Sequence, residues 1–279
     1  MSSPLHYAAF TDIPEGGNPA GVVLDASDYG AERMQAVAAE LGYSESAFVT
    51  ARDDGEYDIR FYSRAAEVAF CGHATIATAV ALAERDGPGR RVFHTREGQV
   101  PVDTSERDGG LSATLTSVSP YVEAAPDELV RGALAALHWD AAELDDGLPP
   151  RVAYAGVRHL VLAARTRARL AQLDYDFEPL RQLMLAHEMT TLQLVHRTGE
   201  HTFDARDPFA VGGVVEDPAT GAAAAAFGAY LRELGLIAPP ATITIHQGDD
   251  MGRPSVLTVD VGTAPEIRVT GRAVRFTPS

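Results

Sequence analysis

A single cysteine, Cys71, in a chain of 279 residues means that no disulfide can close within it. There is no cluster of thiols and no pair of closely spaced histidines, so the usual zinc frameworks are missing and the reading is of a protein without metal. Positive charge is scarce: 23 Lys and Arg face 39 Asp and Glu, a formal net charge of −16. Such a surface does not gather phosphates, which argues against nucleic acid or an anionic membrane as partner. A small anionic substrate stays possible, because it needs only a local positive potential. Long apolar runs are absent too, and the longest is too short and too alanine-rich to span a bilayer. The opening residues, Met1 to His6, show neither the basic start nor the apolar stretch of a signal peptide. These absences give the expectation of a soluble, cytoplasmic protein, at a length that suits two domains or one large one.

What the chain does have is two helices that are apolar on every face. Glu216-Asp217-Pro218-Ala219-Thr220-Gly221 runs into Ala222 to Leu231, and Cys71-Gly72-His73-Ala74-Thr75 runs into Ile76 to Leu82. A helix with no polar face must be enclosed by its neighbours. Each of these is entered through a polar loop, and the N–H groups of its first turn are a ready site for an anion. Around them the same programme occurs twice. Helix Ala31–Leu41, strands Ser44–Thr50 and Tyr57–Tyr62, the first apolar helix, and a hairpin around Glu97-Gly98 fill the first half. Helix Phe177–His187, strands Thr191–His196 and His201–Ala205, the second apolar helix, and a hairpin from Ala241 to Val261 fill the second. The expected fold is α+β, in two pseudo-symmetric halves, each a curved, mostly antiparallel sheet wrapped around a central apolar helix. The halves are expected at residues 1–118 with 262–279, and at 119–261, with 117–125 as linker. A last strand, Ile267 to Phe276, returns to the first half with no counterpart of its own, and the site is expected in a cleft between the halves.

Several stretches resemble the PhzF-like family of phenazine biosynthesis. They are Phe10-Thr11-Asp12 with Gly17-Asn18-Pro19-Ala20-Gly21, Ser44-Glu45-Ser46-Ala47-Phe48-Val49, Phe70-Cys71-Gly72-His73-Ala74-Thr75, Glu216 to Gly221, and Gln247-Gly248 with Met251 to Ser255. Their order and span cover nearly the whole chain. The resemblance implies a diaminopimelate-epimerase-like fold, a homodimer, and isomerisation or epimerisation by proton transfer at carbon without a cofactor. It also implies that Glu45 is the catalytic acid/base, that His73 assists it, and that Asp217 faces it from the other half. Related epimerases use two opposed cysteines at the helix entries; here Asp217 stands opposite Cys71, so a two-thiol racemisation is not available. Ala222 stands where the family often carries a serine, a departure that bears on substrate choice more than on proton transfer.

Each of these residues has a plainer reading. Glu45 could be a surface glutamate at a strand start, although an apolar edge would desolvate it and raise its pKa toward neutrality. His73 could be a packed histidine, or a ring kept neutral by the positive helix end. Asp217 could be the N-cap of the second apolar helix as well as a catalytic group. Cys71 reads as a small buried hydrophobe, and Met184 and Met189 as core. Substrate contacts are expected from Asn18 and Ser44 and from backbone N–H groups around Gly72, Ala74, Thr220, Gly221 and Ala222, which would hold a carboxylate without an arginine. The functional expectation is a cofactor-independent isomerase or epimerase acting on a small carboxylate-bearing molecule. The alternative is a binding or regulatory protein that keeps the scaffold without turnover.

Overall fold

A computed structural model describes residues 3–53, 55–107 and 109–278; Met1 and Ser2, at the start of the segment examined for a signal sequence, lie outside them. The chain forms two compact units. The first runs to Thr116 and takes in the chain from Thr270 onward, and the second is Ser117–Val269.

The first unit contains β1 (Leu5–Ala9), β2 (Asn18–Val23), α1 (Ala31–Leu41), β3 (Glu45–Ala51), β4 (Tyr57–Ser63), β5 (Glu67–Val68), α2 (Gly72–Asp86), β6 (Arg90–Thr95), β7 (Gly98–Arg107) and β8 (Gly110–Thr116). Most neighbours are antiparallel: β1 with β2, β3 with β4, β4 with β5, β6 with β7 and β7 with β8. Two pairs are parallel, β2 with β3 and β4 with β6. Each parallel pair is separated in sequence by a helix, as a parallel crossover requires. The sheet curls around α2, which touches β1, β2, β3, β7 and β8. From His73 to Ala83 every residue of α2 is buried. Gly87, in a backbone conformation with φ of 90°, ends the helix. On the outer face, Met34 and Ala38 of α1 pack with Val23, Phe48 and Tyr62.

The second unit contains β9 (Tyr121–Ala124), α3 (Asp127–Ala136), β10 (Arg151–Tyr154), β11 (Arg158–Ala163), α4 (Arg167–Ala171), α5 (Phe177–Ala186), β12 (Met189–Arg197), β13 (Thr202–Pro208), β14 (Glu216–Asp217), α6 (Gly221–Glu233), β15 (Ala241–Gln247), β16 (Ser255–Val261) and the start of β17 (Ile267–Arg275). Its pairings repeat those of the first unit. β10–β11, β12–β13, β13–β14 and β15–β16 are antiparallel, and β11–β12 and β13–β15 are parallel. Here α6 is the enclosed helix, in contact with β9, β10, β11, β12 and β16. Gly228 lets it come close, since a Cβ there would stand 2.8 Å from Val259. Met184 and Met189 are buried in the cluster that α3 and α5 build over β11 and β12. The fold is therefore the expected α+β duplication, each sheet curved about an apolar helix.

Two expectations fail. Residues 117–125 are not a linker throughout: Tyr121–Ala124 is a strand, antiparallel to β10, with Tyr121 stacked on Tyr154. Nor is the last strand without a counterpart. The end of β17 pairs with β1 in the first unit (Tyr7 opposite Arg275) as β9 pairs with β10 in the second. Among the described residues no helix is long and apolar enough to cross a membrane.

Candidate active site

In the first unit, three elements bring five polar side chains together. Glu45 opens β3, Ser44 precedes it, Asn18 opens β2, Cys71 is the N-cap residue of α2, and His73 lies in that helix's first turn. Glu45 Oε2 is 3.7 Å from His73 Nε2 and 3.8 Å from Cys71 Sγ. Cys71 Sγ is 3.4 Å from His73 Nδ1, and Ser44 Oγ is 3.5 Å from His73 Nε2. Asn18, 1% exposed, sets its amide nitrogen 3.1 Å from His73 Nδ1.

Burial controls the charges. It pushes the Glu45 carboxyl above its ordinary pKa, against the opposing hydrogen bonds from Ser44 and Cys71. It lowers His73 to about 3, so the imidazole is neutral at neutral pH. The neutral ring was anticipated, but burial supplies the cause where a helix-end field was expected; the ring is enclosed and only 5% exposed. An amide N–H donating to Nδ1 leaves the ring's one proton on Nε2, the atom facing Glu45 and Ser44. The cluster thus pairs a carboxyl that gains a proton easily with a neutral N–H donor. Glu45, Cys71 and His73 also present oxygen, sulfur and nitrogen atoms all within 4.8 Å of one another, a donor set that suits a thiophilic divalent ion. In the tautomer that Asn18 imposes, Nε2 carries a proton and not a free lone pair.

Thr75 N–H is bonded to Cys71 O at 3.1 Å, and the N–H groups of Gly72, His73 and Ala74 precede it at the open end of α2.

In the second unit, Asp217 ends β14 and is 7% exposed. It is not the cap of α6. Pro218 and Ala219 separate it from the helix, and the N-cap residue is Thr220, whose hydroxyl donates to Asp217 Oδ2 at 2.6 Å. The expected donor set is also shortened by one, because Thr220 N–H is taken by Gln247 Oε1 at 3.1 Å. Gln247 Nε2 donates in turn to Asp217 O at 2.8 Å and to Thr220 Oγ1 at 3.1 Å. This leaves Gly221, buried, and Ala222, half-buried, at the head of α6. Gly248, at φ 80°, keeps the turn beyond Gln247 close, since a Cβ there would be 2.8 Å from Pro218 O. Beside Asp217, Glu216 and Arg206 form a buried two-point ion pair at 2.8 and 2.5 Å.

Residue-type reasoning undervalued Cys71, whose sulfur touches both Glu45 and His73. It also gave no part to Gln247 beyond its place in a motif, or to the fully buried Asp207. The polar cluster around Asp217 draws on β14, β15 and the head of α6, so no local spacing announces it.

A model of the family described as phenazine biosynthesis-like protein, PhzC-PhzF, matches residues 7–278. Among curated relatives, the uncharacterized isomerase YfhB of Bacillus subtilis is 30% identical, with 97% of this chain and 95% of its own length aligned. The trans-2,3-dihydro-3-hydroxyanthranilate isomerase of Pseudomonas aeruginosa is 32% identical, with 96% and 95% aligned. Among solved structures, a predicted epimerase from Pseudomonas aeruginosa matches with a TM-score of 0.87 at 28% identity, covering 99% of this chain and 98% of that one. A PhzF-family protein of Bacillus anthracis matches with a TM-score of 0.88 at 23% identity and supports the fold, over 98% and 96% of the two chains. With the family matched over nearly its full length and relatives named as isomerases, the chain belongs to the phenazine biosynthesis-like family and is an isomerase of it.

Proposed function

We propose that this isomerase moves a proton between carbons of a small carboxylate-bearing molecule, with Glu45 as general acid/base and without metal or organic cofactor. The observation that carries the reading is the Glu45 carboxyl itself. It is mostly buried, raised in pKa, and set 3.7 Å from a histidine nitrogen. A group that both removes and returns a proton works best with its pKa near the operating pH. His73 supports the cycle as a neutral donor, and Asp217 is the second carboxyl assigned to the reaction. The sequence contains no lysine, so a side-chain Schiff base with a carbonyl compound or with pyridoxal phosphate is unavailable. Backbone N–H groups at a helix head are suited to a substrate carboxylate, Gly72 to Ala74 beside Glu45 and, at the head of α6, Gly221 with Ala222. The Pseudomonas relative is named for a substrate that is itself a carboxylate, which makes that compound the first probe to try. Ala222 offers it only a methyl group.

The test is solvent deuterium incorporation into trans-2,3-dihydro-3-hydroxyanthranilate and other small unsaturated or amino acids in heavy water. Glu45→Gln keeps the shape of the site and removes the acid/base. It is expected to cut incorporation by roughly 10²- to 10⁴-fold while melting like the parent. A folded Glu45→Gln protein that exchanges at the parent rate would overturn the assignment.

A further inference from the structure

Gln247 lies at the end of β15, paired in the sheet on both sides, opposite Ala205 of β13 and Ser255 of β16. It is 1% exposed, and a buried primary amide has two N–H groups and a carbonyl to satisfy. All three are directed at one short stretch, Asp217 to Thr220. Oε1 accepts from the Thr220 N–H at 3.1 Å, and Nε2 donates to Asp217 O at 2.8 Å and to Thr220 Oγ1 at 3.1 Å. The turn beyond Gln247 is itself closed, with the Met251 and Arg253 N–H groups both on Gly248 O at 3.0 Å, and Asp250 ties it to Arg167 of α4 at 2.8 Å. The amide is therefore held from the sheet and grips the loop that carries Asp217.

Only one orientation of the amide is compatible with these partners. Turned over, its nitrogen would face the Thr220 N–H and its oxygen the Asp217 carbonyl, donor against donor and acceptor against acceptor. The order passes on to the Thr220 hydroxyl, which has one proton and two lone pairs. Because Nε2 donates to Oγ1, the hydroxyl proton points elsewhere, and it goes to Asp217 Oδ2 at 2.6 Å. A threonine at the N-cap position ordinarily accepts from an N–H of the first helical turn. Thr220 makes no such capping bond in α6. Its hydroxyl is diverted from the helix to Gln247 and Asp217, which a cap alone would not need. Both bonds to Asp217 are indifferent to whether its carboxyl carries a proton, since one is made to the backbone and a carboxyl oxygen accepts in either form.

We propose that Gln247 is a positioning residue: anchored in the sheet, its amide holds the Asp217 backbone and orients the Thr220 hydroxyl, and through both it aims the Asp217 carboxyl. The proposal rests on the reading that Asp217 serves the reaction, and adds how that carboxyl is held. Gln247 itself gives up no proton and takes none, and its bonds stay in place throughout turnover.

Two measurements test it. The first needs no substrate and uses magnetic resonance of the folded full chain with heavy nitrogen in its glutamine amides. The two N–H signals of Gln247, identified by their loss in Gln247→Met, are expected to persist in heavy water after those of exposed glutamines have exchanged. Thr220→Val removes one of their two acceptors, and is expected to shift one signal toward its unbonded position and leave the other. Signals that exchange as fast as the exposed ones, or that ignore Thr220→Val, overturn the proposal. The second follows kcat and KM by deuterium incorporation into the acid that the parent turns over, trans-2,3-dihydro-3-hydroxyanthranilate being tried first. Gln247→Met is expected to lower kcat roughly 10- to 100-fold with KM within about threefold. Thr220→Val is expected to do the same, and Thr220→Ser, which returns the hydroxyl, to recover kcat to within about threefold of the parent. Added to Asp217→Asn, Gln247→Met is expected to lower kcat by less than about threefold more, because a residue that acts only through Asp217 has nothing left to aim. Full multiplication of the two losses, or Gln247→Met turning over like the parent, overturns the positioning role. If Gln247→Met melts far below the parent, Thr220→Val against Thr220→Ser makes the same decision. Asp217→Asn turning over like the parent, with the amide signals as expected, overturns the part given to Asp217 and leaves the hydrogen-bond assignment standing.

Discussion

Asn18 was expected to contact substrate from a glycine-rich turn, a place where asparagines are common for reasons of backbone conformation. In the structure it starts a strand and holds His73 Nδ1 at 3.1 Å. Glu45 and His73 stood out through the motifs around them, whereas the contacts of Cys71 and Asn18 with His73 did not, because their residue types have commoner uses. What assigns them is contact across 26 to 55 positions of sequence, which no local pattern carries. Asn18→Ala removes the donor that fixes the tautomer, and kcat is expected to fall about tenfold. Asn18→Asp should do more harm. A carboxylate accepts from Nδ1–H, so it turns the tautomer round and lifts the His73 pKa from about 3 toward its ordinary value. Ring nitrogen shifts followed against pH, together with kcat, check both; an unchanged ring in Asn18→Asp would show that Asn18 does not set the tautomer. Cys71→Ala, by contrast, removes a contact and no acid or base. Its kcat is expected to stay within about tenfold of the parent, and a loss as deep as that of Glu45→Gln would make the thiol the proton carrier instead.

The enclosed helices were readable because a helix without a polar face has one physical solution, burial on all sides. The elements that escaped notice did so through their prolines. Two prolines lie in or beside the stretch expected as a linker, yet Pro120 precedes β9 and Pro126 is the N-cap residue of α3. Proline is tolerated at both kinds of position because neither needs its missing N–H. Asp127 and Glu128 in the first turn of α3, with Leu129 and Ala133 on its buried face, were a start signal that could have been used. The tightness of the α6 enclosure gives its own prediction. A Cβ at Gly228 would meet Val259 at 2.8 Å and Ile267 at 3.2 Å, and these neighbours belong to the wall, so they cannot swing aside. Gly228→Leu is expected to destabilise the protein by about 1–3 kcal/mol or more from overpacking, read as a lower urea midpoint at unchanged slope. Stability within error of the parent would show that the strands around α6 are not close-packed against it.

Stability against pH sums over both units, and the buried groups decide its shape. Burial lowers His73 and His159 to about 3. A group whose folded pKa lies below its unfolded one takes its proton first in the unfolded chain. Their contribution is therefore full above about pH 6.5 and is lost as pH falls, at about 1.4 kcal/mol per unit for each. Glu45 and Asp207 are raised by burial, and the sign reverses. Their contribution is full below the ordinary carboxylate range and is lost as pH rises through their folded pKa values. Above about pH 4.5 the raised carboxyls oppose the two histidines, and the slope is reduced. Above about pH 6.5 the histidines are neutral in both states, and only the carboxyls act. Below about pH 4 the unfolded carboxyls are protonated as well, so the histidines act alone at about 2.7 kcal/mol per unit. The shifted acids on the surface, Asp25 and Glu178 among them, carry little weight beside these. The net charge of −16 favours the acid side of neutrality, where self-repulsion is less. Urea midpoints are thus expected to drop steeply below about pH 4, to change less steeply above it, and to decline gently above about pH 7 as Asp207, the carboxyl raised furthest, ionises. Asp207→Asn should flatten the alkaline decline and His159→Gln should make the acid one shallower. A midpoint that climbs steadily from pH 6.5 to 9 would mean that Glu45 and Asp207 are ionised in the folded chain.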